Sequence, residues 1–180
     1  LMNNINEIKG VKYEHGSTQI NFSKNVAKKF IEIANRIIDK EDLYFDENDK
    51  SISGLENEIH TTILYGIKND NDRYRIKELL NFINRIFFSI NSISKFESDK
   101  YDVLIYKIDS DDLERCHEIL RANLDNIYSY DDYIPHLTIA YLKKGMVDEY
   151  VNRWPKINYS SSIDSIIYST SNGNKYRIRL

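Results

Sequence analysis

Several sequence features are scarce or absent in this chain, and each absence excludes a class of protein. A single cysteine, Cys116, stands among 180 residues, so neither an internal disulfide nor a cysteine-based zinc site is available. No apolar run reaches the roughly 18 residues of a membrane-spanning helix, and no signal-peptide pattern is present. The sequence therefore predicts a cytoplasmic protein with no membrane partner.

An excess of basic residues is also lacking. The formal net charge is −3 and the sequence pI is about 5.8, which argues against broad electrostatic binding of long nucleic acid. A small anionic substrate, held by a few local donors, fits this charge better. The compositional excess is in tyrosine, with 14 residues, and tyrosine rings can stack on nucleobases.

The familiar signatures of cofactor and metal chemistry do not occur. The chain has no glycine-rich phosphate loop, no Ser-His-Asp arrangement and no closely spaced pair of metal-binding histidines. We therefore expect neither a cofactor nor a metal. What the chain does contain is one short motif twice, since residues 60–65 and 136–141 both read H-x-T-I-x-Y.

Each copy lies in an apolar run typical of a strand. Side chains alternate between the two faces of a strand, so His60 and Thr62 are expected on one face, with Ile63 and Tyr65 on the other. The later copy predicts the same arrangement. Each strand would thus pack one face in the core and present an imidazole beside a hydroxyl on the other.

Two such faces brought together suit metal-free cleavage of a phosphodiester. One histidine can take a proton from the attacking hydroxyl while the other gives a proton to the departing oxygen. Each threonine hydroxyl can stabilise the charge that develops on the phosphoryl oxygens. A lone His-x-Thr is a weak signal, whereas two copies in matched contexts favour a catalytic role for His60, Thr62, His136 and Thr138.

Periodicity and turn signals predict a mixed chain, in the order β-α-β-α-β-β-α-β followed by a small helix and a hairpin around Asn172-Gly173. We expect a single domain over 1–180, with comparable lobes at roughly 13–97 and 98–180. The predicted strands cover 17–22, 59–67, 87–96, 101–108, a segment opened by Pro135, 163–168 and 176–180, and the predicted helices cover 23–39, 71–85, 110–124 and 147–152.

The paired motifs resemble those of the 2H phosphoesterase superfamily, which is defined by two H-x-[ST] motifs on two strands. The resemblance implies a duplicated, two-lobed α+β fold (LigT-like), with antiparallel sheets lining a central cleft and helices outside. It also implies that His60 and His136 act as general acid and base and that Thr62 and Thr138 assist them. One departure is Ile59, where many relatives carry proline.

Further stretches, at 16–21, 41–44, 64–66 and 135–145, resemble a phage-associated branch of that superfamily, the anti-CBASS nucleases. Those enzymes degrade the cyclic oligonucleotide signals of bacterial antiviral defence. The resemblance implies a 3′-5′ linked cyclic di- or trinucleotide as substrate and partner, cleavage without a metal, and action in the cytoplasm of a bacterial host cell if the chain is phage-encoded.

Two other functions stay open at this point. The same motif pair occurs in enzymes that open 2′,3′-cyclic phosphates at RNA ends and in 2′-5′ RNA ligases, and a third possibility is a sponge that holds a cyclic nucleotide without cutting it. For substrate binding we single out Tyr13, Lys143, Trp154 and Tyr176, the aromatic residues as base stackers and the lysine as a cation beyond the second motif. A monomer is expected.

Overall fold

A computed structural model describes residues 8–9 and 13–180 of the chain. Its elements are β1 (Ile8–Lys9), β2 (Gly16–Asn21), α1 (Lys24–Ile37), a 3₁₀ turn (Lys40–Asp42), β3 (His60–Ile67), α2 (Arg73–Leu79), β4 (Ile86–Glu97), β5 (Tyr101–Asp109), α3 (Asp111–Asn123), β6 (His136–Lys143), α4 (Val147–Arg153), β7 (Tyr159–Ile163), β8 (Ser165–Ser169) and β9 (Asn174–Arg179).

The strands form two antiparallel sheets. The first has the order β1-β9-β8-β2-β3 and the second the order β6-β5-β4-β7. Each motif strand is thus at an edge of its sheet, and β3 and β6 contact one another where the two edges meet. Helix α3 packs against both β3 and β4, so it connects the two sheets. The predicted α+β fold with two antiparallel sheets is confirmed.

The two sheets are interleaved along the sequence rather than divided near residue 97. Strand β4 belongs to the sheet of β6, whereas the C-terminal hairpin of β8 and β9 belongs to the sheet of β3. The hairpin turns at Gly173, whose φ is +92°, as the Asn-Gly signal predicts. No helix in the described ranges is long and apolar enough to cross a membrane.

Helix starts follow their capping residues. The Ser23 hydroxyl accepts the Val26 N–H at 3.4 Å, and the Ser110 hydroxyl accepts the Leu113 N–H at 3.1 Å. Helix α2 is shorter than predicted, because it ends at Leu79 and the next residues continue as turns. Strand β7 was not predicted; its serine-rich sequence hides the alternation of a strand, but it pairs with β4.

Strand β3 carries a bulge within its motif. Thr18 pairs with Leu64, but the next residue on β2, Gln19, pairs with Thr62, so that Ile63 is an extra residue on β3. The Thr18 hydroxyl accepts the Leu64 N–H at 3.2 Å, and this bond satisfies a backbone donor that the irregular ladder leaves unpaired.

Strand β6 carries a bulge at the matching position. Leu104 pairs with Ala140, but Ile105 pairs with Thr138, so that Ile139 is the extra residue. In both motifs the additional residue therefore directly follows the threonine. A bulge shifts the alternation of side chains by one residue, so in each motif the tyrosine two residues beyond the extra isoleucine changes face.

A pair of isosteric substitutions tests the contact at the first bulge. We expect Thr18→Val to lower the free energy of unfolding by about 1–3 kcal/mol, because the buried Leu64 N–H loses its acceptor. The measurement is urea denaturation.

Thr61→Val is the matched control. Thr61 is equally buried, and its hydroxyl has no hydrogen-bond partner among the residues that the structure describes. This variant should be as stable as the wild type or more so. Equal losses in the two variants would show that the Thr18 hydroxyl does not stabilise the bulge.

Candidate active site

The structure brings the two motifs to neighbouring edges of the two sheets. His60 and Thr62 lie two residues apart on β3, and His136 and Thr138 lie two residues apart on β6, so each pair shares one face of its strand. All four side chains are partly exposed. Strands β3 and β6 contact each other, and the charge of His60 lowers the pKa of His136.

Both imidazoles are oriented by the same backbone contact. Nδ1 of His60 lies 2.5 Å from the carbonyl oxygen of Glu58, and Nδ1 of His136 lies 2.7 Å from that of Ile134. A carbonyl oxygen only accepts, so Nδ1 donates in both cases. Nε2 of each ring is then the atom left to exchange a proton, as a base in the neutral ring and as an acid in the cation.

The surroundings of His136 favour its neutral form. Burial lowers the pKa of this histidine most, its bond to the Ile134 carbonyl opposes the shift, and the charge of His60 lowers the pKa further. The ring of Phe96 packs edge-on at 4.8 Å between ring centroids. A neutral imidazole with a free Nε2 is suited to accept a proton at neutral pH.

The bulges bring two tyrosines to the cleft that the predicted alternation placed in the core. Tyr65 is 43% exposed and lines the cleft beside His60 and Thr62, and Tyr141 lines it from β6. The prediction that Tyr65 shares the buried face of Ile63 was wrong, because the extra residue reverses the alternation after the threonine. The repeated Y of H-x-T-I-x-Y was the signal that could have identified both.

The cleft beside His60 has a volume of about 300 Å³ and a polar wall. Lys175 and Glu58 form an ion pair in it, with Nζ and Oε1 2.8 Å apart. Burial opposes ionisation of Glu58, but the hydrogen bond and charge of Lys175 outweigh it, so the pKa of Glu58 lies below its usual value. Sequence reasoning missed Lys175 and a second lysine of the wall, Lys50.

A further cation lies beside the second motif. Lys107 pairs with His136 across the β5–β6 ladder, so the two side chains project from the same face with Cβ atoms within about 5.5 Å. Lys107 is exposed. Nothing in the local sequence distinguishes it from a surface lysine, since its role depends on which residue it opposes across the sheet.

The four residues chosen for substrate binding are in different surroundings. Tyr13 is 48% exposed and lines the cleft, held by its backbone N–H to the Ser171 carbonyl at 3.1 Å. Lys143 is exposed at the end of β6 and is not part of the cleft wall described above. Its neighbour Lys144 instead binds the fully buried carboxylate of Asp102 at 2.9 Å.

The structure contradicts the predictions for the other two residues. Trp154 is only 7% exposed, and its indole N–H donates to the Tyr106 hydroxyl at 2.7 Å, so it belongs to the core. Tyr176 stacks on buried Tyr168 and lies under the guanidinium of Arg73, on the face of β9 opposite to Lys175. Neither ring is available to a base in the cleft.

Two residues behind β3 hold its bulge in place. Nδ1 of His117 donates to the carbonyl of Ile63 at 2.6 Å, and the Tyr133 hydroxyl donates to the carbonyl of Thr62 at 2.8 Å. The two rings stack at 4.1 Å. Burial lowers the pKa of His117, which keeps it neutral. Both contacts act on the backbone of the motif from outside the cleft.

Solved structures share this architecture across nearly the whole chain. TT0787 of Thermus thermophilus is 12% identical, with a TM-score of 0.59 and coverage of 92% of this chain and 98% of that one. Kluyveromyces marxianus Usb1 with uridine monophosphate is 7% identical, with a TM-score of 0.60 and the same coverage. E. coli LigT complexed with 3′-AMP is 12% identical, with a TM-score of 0.54 and coverage of 94% and 96%. The fold is thus that of the 2H phosphoesterases, as predicted.

A match to a family model shows to which family within this fold class the chain belongs. The model described as "Anti-CBASS protein Acb1" matches residues 20–161, a span that includes both motifs, and the chain belongs to that family. A comparison with curated proteins gives no match.

The coupling of the two histidines can be tested by NMR without a substrate. The midpoint of the His136 titration should lie below the ordinary value for histidine, and it should move upward in a His60→Gln variant, because the positive charge that opposes protonation of His136 is removed. The measurement is the pH dependence of the ring carbon-bound proton shifts.

His15→Gln serves as the control for that titration. His15 also lines the cleft but packs against Tyr65, with 6.4 Å between ring centroids. The His15→Gln substitution should leave the midpoint of the His136 titration unchanged. An unchanged midpoint in the His60→Gln variant would contradict the electrostatic coupling of the two imidazoles.

Proposed function

We propose that this phosphodiesterase cleaves 3′-5′ linkages in cyclic di- and trinucleotide immune signals, by general acid–base catalysis and without a metal. The observation that carries the proposal is the matched pair of histidines, each with Nδ1 bound to a backbone carbonyl and Nε2 left for proton transfer. Membership of the anti-CBASS Acb1 family supports cyclic oligonucleotides as the substrate class.

In the mechanism we propose, Nε2 of His136 takes the proton of the ribose 2′-OH next to the scissile phosphate. The pKa of His136 is lowered by burial, so this ring is neutral and able to accept a proton near pH 7. The 2′-oxygen forms a bond to phosphorus as the bond to the 5′-oxygen breaks. His60, in its protonated form, donates the proton that the 5′-oxygen needs, and the product ends in a 2′,3′-cyclic phosphate.

The threonines complete the phosphate site. In this proposal the hydroxyls of Thr62 and Thr138 donate to the non-bridging phosphoryl oxygens, where negative charge grows in the transition state. Lys107 adds a positive charge on the same side as His136. These contacts would replace the charge stabilisation that a metal ion supplies in other phosphodiesterases.

Nucleobases are held, in our proposal, by the tyrosines that the bulges turn into the cleft. Tyr65 and Tyr13 offer partly exposed rings on the side of His60, and Tyr141 offers one on the side of His136. The solved structures of LigT with 3′-AMP and of Usb1 with uridine monophosphate support nucleotide binding by this fold.

A second candidate is RNA-end processing, because the same motif pair occurs in enzymes that act on RNA ends. The substrate would be a 2′,3′-cyclic phosphate at an RNA end or a 2′-5′ linkage. A chain with a net charge of −3 is poorly suited to holding long RNA, which is why we place this candidate second. A sponge would bind a cyclic nucleotide without cutting it and would need no pair of proton-transfer groups. The two His-x-Thr pairs therefore argue against this third function.

Histidine and threonine variants test the proposal by rate. His60→Ala and His136→Ala should each abolish turnover of 3′3′-cyclic GMP-AMP and cyclic tri-AMP in EDTA, because each removes a proton-transfer group. Thr62→Ala and Thr138→Ala should slow turnover by about 10² to 10³-fold, as expected for loss of a transition-state donor. Chromatography of the products measures all four.

Thr61→Val is the matched control for Thr62→Ala, since Thr61 is adjacent on β3 but faces the core. It should retain the wild-type rate. Near-normal turnover in either histidine variant would refute the mechanism. If the wild type leaves both cyclic nucleotides intact yet opens RNA 2′,3′-cyclic phosphates, the second candidate replaces the first, and binding without any turnover would indicate a sponge.

The tyrosine pair has a separate test. Tyr65→Leu and Tyr141→Leu should each raise KM for cyclic tri-AMP about tenfold or more, because base–aromatic stacking contributes roughly 1–3 kcal/mol per base. Tyr65→Phe and Tyr141→Phe should retain KM, since the ring and not the hydroxyl makes the contact. A loss in the phenylalanine variants equal to that in the leucine variants would assign the role to the hydroxyl instead.

A further inference from the structure

A second pocket, which we call the distal pocket, is lined by residues of both sheets. It has a volume of about 330 Å³, and Asn21, Arg85, Ser162, Asp164 and Arg177 are among its lining residues. It adjoins the cleft through Gln19, which lines the cleft and whose Nε2 donates to Oδ1 of Asn21 at 2.6 Å.

Strand register puts Arg177 on the same face of the sheet as the first motif. Thr62 pairs with Gln19, Gln19 with Ile167, and Ile167 with Arg177, so these four side chains form one row across the sheet. Three strand spacings separate the ends of the row, a distance of about 14 Å between backbones. Arg177 therefore lies on the cleft side but well away from the reacting groups.

Alternation along β9 gives the same result. Lys175, two residues before Arg177, lines the cleft, whereas Tyr176 between them packs on the opposite face against Tyr168. The two cations thus project in the same direction from neighbouring positions. The charge of Lys175 is balanced by its ion pair with Glu58, whereas Arg177 adds a positive charge to the distal pocket on the same face of the sheet.

The distal pocket carries an excess of positive charge. Arg85 donates to the Ser162 hydroxyl at 3.0 Å, and within the described ranges neither Arg85 nor Arg177 has a carboxylate oxygen within 4.0 Å. Among the described residues that line the pocket, one is acidic, Asp164, against two guanidinium groups. Planar guanidinium groups bind phosphate oxygens through two parallel hydrogen bonds, which makes a phosphate the ligand that fits.

We propose that the distal pocket binds a phosphate of the substrate other than the one being cut, through Arg85 and Arg177. The proposal rests on the proposed function, because a cyclic di- or trinucleotide carries one phosphate for each nucleotide and only one of them is cleaved at a time. The remaining phosphates need a cationic contact outside the reacting centre. The distal pocket would thus distinguish cyclic oligonucleotides from substrates with a single phosphate.

The test compares two substrates that are cut by the same chemistry. Cyclic tri-AMP has three phosphates, whereas the dinucleoside monophosphate ApA has one phosphate and the same 2′-OH. The double variant Arg85→Gln/Arg177→Gln should raise KM for cyclic tri-AMP about tenfold, as expected for loss of a charged hydrogen bond, with kcat retained. Its kcat/KM for ApA should be unchanged. Equal losses for both substrates, or no loss for either, would overturn the proposal.

Arg75→Gln is the control variant, because Arg75 is an exposed arginine on α2, outside both pockets. It should leave both substrates unaffected. If wild-type protein cuts neither substrate, the proposed function fails, and calorimetry with inorganic triphosphate then tests the pocket alone. Wild type and Arg75→Gln should bind this probe about tenfold more tightly than the double variant. Equal binding, or no binding to the wild type, would overturn the pocket assignment.

Discussion

The extra residue that each motif strand carries directly after its threonine is the constraint on which the cleft depends. Ile63 and Ile139 are both buried, and each reverses the alternation of the strand beyond it. Without the bulges the strands would keep their histidines and threonines on one face, but the tyrosines would turn into the core. With them, each strand presents an imidazole, a hydroxyl and an aromatic ring on the same side.

A bulge leaves backbone groups without ladder partners, and the structure supplies partners from outside each ladder. Thr18 accepts the Leu64 N–H and His117 binds the Ile63 carbonyl, while the Ile139 carbonyl accepts the Glu56 N–H at 2.9 Å. These contacts come from three different parts of the chain. The local geometry of each motif therefore depends on tertiary structure, because a strand alone would leave the backbone groups at its bulge unpaired.

Segments outside the two sheets cover the exposed edges of the motif strands, and one of these segments also lines the cleft. Strands β3 and β6 are both edge strands, which present unpaired backbone groups. Residues 43–56 form bridges along β6, and residues 126–127 cover β3 near Gly66. The first of these segments also brings Lys50 to the cleft wall.

Much of this architecture could be predicted from the sequence, and the errors on two tyrosines of the candidate site arose from strand pairing. The caps at Ser23 and Ser110 and the repeated H-x-T motif are local signals, and they predicted helix starts and the strands of the candidate site. The position of a bulge depends on a partner strand, so Tyr65 was assigned to the wrong face. Tyr176 was chosen as a base stacker, but the face of β9 that lines the cleft carries Lys175, and which face that is depends on the sheet in which β9 pairs.

The central claim is that two histidines cleave a phosphodiester through the neighbouring 2′-OH. The most direct measurement is ³¹P NMR of a cyclic dinucleotide reaction in EDTA, stopped early. The account predicts a linear product that carries a 2′,3′-cyclic phosphate. A product with a free 3′-hydroxyl and a 5′-phosphate from the first turnover would contradict it, since water rather than the 2′-OH would then have attacked phosphorus.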